Sequence, residues 1–189
     1  MSLVNLRAPF IFYCDLINHQ DIKDKYYERI LRLFEENKHS NVGGWNCKVK
    51  TTFNSVVDFL WDDYFQNSVI WNPLDQMLEK VDLYQYPVRS FVREIWTNLY
   101  KYGEFQEVHD HVGNARNIFS GIYIIDQKGD NKTSFIHNNY GILDNQVHTK
   151  DMDDIKEGTV IIFPSNLLHY VNPVEDDRCT ISFNIRCDF

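Results

Sequence analysis

No stretch of this sequence is apolar for long enough to cross a membrane, and Met1-Ser2-Leu3-Val4-Asn5-Leu6-Arg7 lacks the basic then apolar pattern of a secretory leader. Positive charge is scarce as well. Against 27 Asp and Glu stand 19 Lys and Arg, a net charge of −8, which disfavours nucleic acid or an anionic membrane as the main partner, because both require basic surface. A local basic pocket is still allowed. The four cysteines, Cys14, Cys47, Cys179 and Cys187, form no C-x-x-C pair, which excludes a zinc ribbon and a dense disulfide framework. Repeats, linkers and low-complexity stretches are missing too. Reduced thiols in a soluble, cytoplasmic protein are the expectation.

What is present suits one folded unit. The chain has 189 residues, 43% of them hydrophobic and 15% aromatic, enough for one sizeable core. We expect a single domain over 1–189, with 1–90 largely helical support and 91–189 the β core. From Asp21 to Lys38, Ile22, Tyr26, Ile30, Leu33 and Phe34 recur on one face at a 3.6-residue period, and acidic Asp21 and Asp24 suit the first turn. Further helices are expected around Ser55 to Phe65 and from Pro73 to about Leu83.

After Pro87 the texture changes to short β-branched and aromatic runs. Ile95 to Tyr100, Asn117 to Ile125, Thr133 to His137, Gly141 to His148, Thr159 to Phe163 and Cys179 to Arg186 read as strands separated by Gly, Asn, Asp and Pro turns. Their spacing implies a barrel or sandwich. Tyr84-Gln85-Tyr86-Pro87 and Asn138-Asn139-Tyr140-Gly141 read as ordinary surface loops.

Of the seven histidines, His19 and His39 sit at helix edges and are expected on the surface, while His137 and His148 lie in polar contexts. His109-Asp110-His111 differs. In an extended segment residues two apart share a face, so both imidazoles point to one spot and form a metal-binding pair. A polar strand end would look the same. His169 adds weight, because it follows the buried strand Thr159-Val160-Ile161-Ile162-Phe163 and its closing Pro164. Nine positions later Arg178 opens an otherwise apolar strand. A guanidinium placed there needs an anion, either a rim acid such as Asp176 or Asp177 or a ligand carboxylate. Thr180, two residues on, shares its face.

Together, H-x-H, then G-x-x-x-x-F-P-x-x-x-x-H, then R-x-T-x-S-F-N resembles the 2-oxoglutarate/Fe(II)-dependent oxygenase superfamily, and within it a group common in marine bacteria and their phages. Trp96-Thr97-Asn98, Gly103-Glu104-Phe105-Gln106 and Ser120-Gly121-Ile122-Tyr123 find counterparts there, so the likeness spans Ile95 to Arg186. The resemblance implies a double-stranded β-helix, a jelly-roll or cupin-like barrel, making the chain mainly β with N-terminal helices (α+β). It implies Fe(II) and 2-oxoglutarate as cofactor and cosubstrate, with oxidation of a C–H bond coupled to formation of succinate and CO2. His109, His111 and His169 would be metal ligands and catalytic. Arg178 and Thr180 would hold the far carboxylate of the oxoacid, with Tyr123 adding a hydrogen bond and Asn184 lining the site. Phe119, Ile122, Ile124, Phe163 and Phe183 would wall it off, as they would any barrel core.

One departure stands out: the common triad is two His and one carboxylate, yet position 111 is His. Either three imidazoles bind the metal, or Asp110 or another acid supplies the carboxylate and one His supports a ligand. Two rivals share the fold: a three-His cupin-like enzyme without an oxoacid, and a non-catalytic β-barrel binding or phage accessory protein. The substrate, small molecule or peptide, is not written in the residues, and a homodimer is compatible with them.

Overall fold

The computed structural model describes residues 10–39, 46–53, 55–81, 89–112, 116–138 and 147–188. The strand expected over Gly141 to His148 lies outside them except for its last two residues, as do the loop at Tyr84 to Pro87 and most of that at Asn138 to Gly141.

Among the described residues ten strands build two antiparallel sheets. They are β1 (Phe12–Asp15), β2 (Lys50–Thr51), β3 (Arg89–Tyr100), β4 (Gln106–His109), β5 (Phe119–Gln127), β6 (Thr133–Asn138), β7 (Val147–Asp151), β8 (Thr159–Pro164), β9 (His169–Val171) and β10 (Arg178–Asp188). The larger sheet runs β1-β8-β5-β10-β3-β2 and the smaller β4-β9-β6-β7. The two face each other as a double-stranded β-helix whose sheets are not closed into one continuous barrel.

The N-terminal part is less purely helical than its texture implies. Phe12 to Asp15 add an edge strand to β8, and β2 extends β3 at the other edge. Neither run is long enough to show a period. Between them α1 (His19–Glu35) buries Ile22, Tyr26, Ile30 and Phe34, four residues at i, i+4, i+8 and i+12. A helical stretch follows, made of α2 (Asp63–Phe65), a π-helical segment (Gln66–Trp71) and α3 (Asn72–Lys80). Asp62 starts it by accepting the Phe65 N–H at 2.8 Å. Among the described residues no helix is long and apolar enough to cross a membrane.

Alternation along each strand sorts the core into two layers. Ile95, Leu99, Phe119, Tyr123, Ile181, Phe183 and Ile185 turn to the helices. Ile122, Ile124, Ile161 and Phe163 turn inward, to Phe135 of the smaller sheet. A one-residue step changes face, so Phe119 and Phe183 belong to the helix layer and not to the site wall expected for them. The Phe183 ring occupies the space that a Cβ at Gly121 would need. All four cysteines are unpaired thiols.

Candidate active site

Between the sheets the central strand β10 sets a ladder of cross-strand layers. Arg178 lies beside Tyr100, Thr180 between Asn98 and Ile124, Ser182 between Trp96 and Ile122, and Asn184 between Glu94 and Ser120. A single pocket is lined by Trp96, Tyr100, Gln106, His109, His111, Ile122, Thr133, His169, Val171, Arg178, Thr180 and Ser182.

Three imidazoles close one end of it. β8 ends at Pro164, a turn follows, and β9 begins at His169, directly opposite His109 in β4. His111 lies just past β4, held by its own backbone: its N–H donates to Ser165 O at 2.8 Å, and its carbonyl accepts from Asn117 Nδ2 at 2.9 Å. One nitrogen from each of the three rings lies within 4.8 Å of the others. Ring centroids stand 4.2 Å apart for His109 and His169, 5.2 Å for His109 and His111, and 4.9 Å for His111 and His169.

The proton positions follow from the partners. His109 Nδ1 lies 2.7 Å from Glu107 O and His169 Nδ1 lies 3.0 Å from Leu167 O. A carbonyl oxygen only accepts, so both Nδ1 atoms carry hydrogen and both Nε2 atoms offer lone pairs. For His111 the partner is Asn184 Oδ1 at 3.0 Å. The Asn184 amide is oriented by its Nδ2, which donates to Glu94 Oε2 at 2.6 Å, leaving Oδ1 to accept from His111 and from Ser120 Oγ at 2.8 Å. All three rings therefore present Nε2, the arrangement in which the other ring nitrogen fixes a metal ligand's tautomer.

Burial keeps the rings neutral. It pushes His169 well below the ordinary imidazole range and lowers His109, and with the neighbouring His109 it takes His111 down to about 3. Asp110 is exposed and its Oδ1 accepts from Val112 N at 3.2 Å, so this carboxylate points away from the three rings.

At the other end lies Arg178, completely buried. Its Nη2 donates to Thr133 Oγ1 at 2.7 Å, whereas Nε and Nη1 have no hydrogen-bond partner. No carboxylate among the described residues pairs with it, so neither Asp176 nor Asp177 is its counter-ion, and burial lowers its pKa. A buried cation with two unmet donors is costly unless an anion joins it. Thr180 lines the same pocket. The donor set thus fits both groups the site would hold: three neutral nitrogens for a divalent ion and a guanidinium for a remote carboxylate.

Two expected residues are placed elsewhere. Tyr123 sits on the helix-facing side of β5, one residue out of phase with Ile122 and Ile124, and its hydroxyl lies 2.7 Å from His19 Nδ1. Asn184 does not line the pocket; it stands behind His111. His19, expected on the surface, is half-buried and also bonds Glu157 at 3.0 Å. Tyr100 and Thr133 join the site without having been expected there. Tyr100 donates to Gln106 Oε1 at 2.7 Å, and its ring centre is 5.8 Å from the Arg178 guanidinium carbon. The signal for Tyr100 is its shared parity with Trp96 and Asn98, useful only once β3 is registered on β10. Thr133 carries none.

Residues 94–184 match a family model described as "Putative 2OG-Fe(II) oxygenase". No curated protein matches the chain at a significant level. Solved structures do. A prolyl-4-hydroxylase from Pseudomonas putida is 14% identical with a TM-score of 0.63, covering 93% of this chain and 91% of that one. A prolyl hydroxylase from Trichoplax adhaerens, in complex with a hypoxia inducible factor peptide fragment, is 12% identical with a TM-score of 0.59, covering 93% and 82%. The α-ketoglutarate-dependent epimerase SnoN of nogalamycin biosynthesis is 10% identical with a TM-score of 0.64, covering 93% and 77%. At these identities the structures speak for the fold, and the family match speaks for the likeness of residues 94–184. Three clustered histidines, a buried arginine and the match over residues 94–184 converge on the 2-oxoglutarate/Fe(II)-dependent oxygenases, oxidoreductases that use Fe(II) and 2-oxoglutarate, and it is this family that the chain resembles.

Proposed function

We propose that this protein is a dioxygenase that uses Fe(II) and 2-oxoglutarate to hydroxylate a small-molecule or peptide substrate. The observation that carries the reading is Arg178: fully buried, with Nε and Nη1 unmet, in one pocket with three neutral imidazoles. His109, His111 and His169 would hold the ion through Nε2. Arg178, aided by Thr180 and by Tyr100 and Thr133 around it, would hold the far carboxylate and so set the direction of the oxoacid. Bound there, the iron and oxoacid supply oxidation of a C–H bond coupled to release of succinate and CO2. Ile122 and Phe163, packed with Phe135, exclude water from one wall. Both substrate classes enter the proposal because the structural neighbours are named both as prolyl hydroxylases and as an epimerase from nogalamycin biosynthesis. We further propose that the chain works as one domain in the cytoplasm, which is supported by α1 and β1 packing on the larger sheet and by four unpaired thiols.

The test is an anaerobic titration with Fe(II) and then 2-oxoglutarate, followed by visible absorption and, after admitting O2, by succinate. A charge-transfer band that needs both additions is expected. Iron binding with no band would leave a three-histidine metalloprotein without an oxoacid. No iron binding would remove the reading altogether.

A further inference from the structure

The metal-binding end of the pocket contains no carboxylate among its lining residues, but one lies a single side chain behind it. Glu94 is half-buried on β3, directly across from Asn184. Its Oε2 accepts from Asn184 Nδ2 at 2.6 Å, and Asn184 Oδ1 in turn accepts from His111 Nδ1 at 3.0 Å. The backbone is shaped for this contact. The β10–β3 register steps from Asn184↔Glu94 to Ile185↔Val92, so Arg93 is an extra residue in β3. Such a bulge re-aims the side chains beside it. Glu94 has the parity of Trp96, Asn98 and Tyr100, the face turned to the pocket, and the bulge beside it turns Val92, two residues back, to the helix-facing layer. Ser120 Oγ, itself 2.8 Å from Ser165 Oγ, takes the second lone pair of the Asn184 oxygen and holds the amide in place.

We propose that Glu94 is a positioning residue that supplies, through the Asn184 amide, the negative charge that the common two-histidine, one-carboxylate triad carries on a ligand. The carboxylate polarises the amide, the amide oxygen draws the Nδ1 proton of His111, and His111 Nε2 becomes a stronger donor to the ion. The inference deepens the oxygenase reading and rests on His111 being a ligand.

The test exchanges charge without changing hydrogen bonds. Glu94→Gln keeps an acceptor opposite Asn184 and removes the charge. The double variant Glu94→Gln with Asn184→Asp restores a carboxylate one step closer to His111, with the new amide donating to it. Zn(II) and anaerobic Fe(II) affinities are measured by titration, and the His111 Nδ1–H proton is followed by NMR in the Zn(II)-loaded protein. Glu94→Gln is expected to weaken both metals about 10- to 100-fold and to move that resonance upfield with an unchanged melting temperature. The double variant is expected to recover wild-type affinity. Wild-type affinity and an unmoved resonance in Glu94→Gln would overturn the proposal. So would a double variant that fails to recover, and this arm decides alone if the single variant does not fold. His111→Ala in the same titration separates the two layers: undiminished metal binding there removes His111 from the ligand set, and with it the oxygenase assignment of that residue.

Discussion

Arg178 carries more information in its position than any other single residue of the chain. At the head of an apolar strand it signals an anion, and Thr180 shares its face by simple alternation. Position alone leaves open the choice between a rim acid and a ligand; the unmet Nε and Nη1, with no described carboxylate paired to them, support the proposed ligand. A buried charge without a partner costs several kcal/mol, a penalty that an apolar side chain of similar volume does not carry. Arg178→Met is therefore expected to raise the melting temperature of the protein free of oxoacid while weakening 2-oxoglutarate by about 100-fold or more, since charge-assisted hydrogen bonds are worth about 1.5–3 kcal/mol each. Fe(II) affinity is expected to stay as it is. A destabilised variant that still binds the oxoacid would show that Arg178 is satisfied from within the protein. Tyr123 teaches the opposite lesson. Placing it at the site beside Ile122 and Ile124 contradicts the two-residue period of a strand, so the sequence itself argues against that choice.

At the scale of elements, the docking of α1 on β5 and on the turn that precedes β8 is where local pattern is least informative. The apolar face of α1 is legible from its spacing, but the polar edge is not. His19 finds Tyr123 and Glu157, 104 and 138 residues away. Lys23 bridges Asp126 at 2.6 Å and Glu157 at 2.7 Å, and Tyr27 donates to Asp126 at 2.9 Å. Gly158, at φ +89°, allows the close approach, since a Cβ there would come within 3.1 Å of the His19 ring. Burial raises the Tyr123 hydroxyl far above its ordinary range, so it keeps its proton at any working pH. Tyr123→Phe removes one buried hydrogen bond and is expected to lower stability by about 1 kcal/mol, or roughly 2–4 °C in melting temperature. Affinity for 2-oxoglutarate should not change. A large loss of oxoacid binding in this variant would put Tyr123 back in the site.

For the whole molecule, the three histidines link acidity, metal and stability. Each ring has a lower pKa in the folded chain than in the unfolded one, where it is about 6.5. Below that pH the unfolded chain binds more protons, so stability is intact above about 6.5 and falls as the pH drops. For the ion-free protein the fall between pH 7.5 and 5.5 is expected to reach up to about 1.4 kcal/mol for each ring, read as a shift in denaturation midpoint. A bound divalent ion keeps the rings deprotonated. At a free concentration 100 times its Kd it should add about 2.7 kcal/mol at neutral pH, and this gain should shrink in acid. A midpoint indifferent to both pH and metal would mean that the rings are not a binding set.

The two-layered core is foreseeable as a class, many short strands with a helical flank, but its register is not, because pairings such as Arg178↔Tyr100 join residues far apart in the chain. That register has a lasting effect on how the gene can change. Along β10, Arg178, Thr180, Ser182 and Asn184 turn toward the pocket and its histidines, while Cys179, Ile181, Phe183 and Ile185 pack into the helix-facing layer. A single substitution in either set leaves this alternation intact. Gain or loss of one codon between them would turn guanidinium and amide into the oily layer and aromatic rings into the cavity, so this strand should vary in letters and never in length.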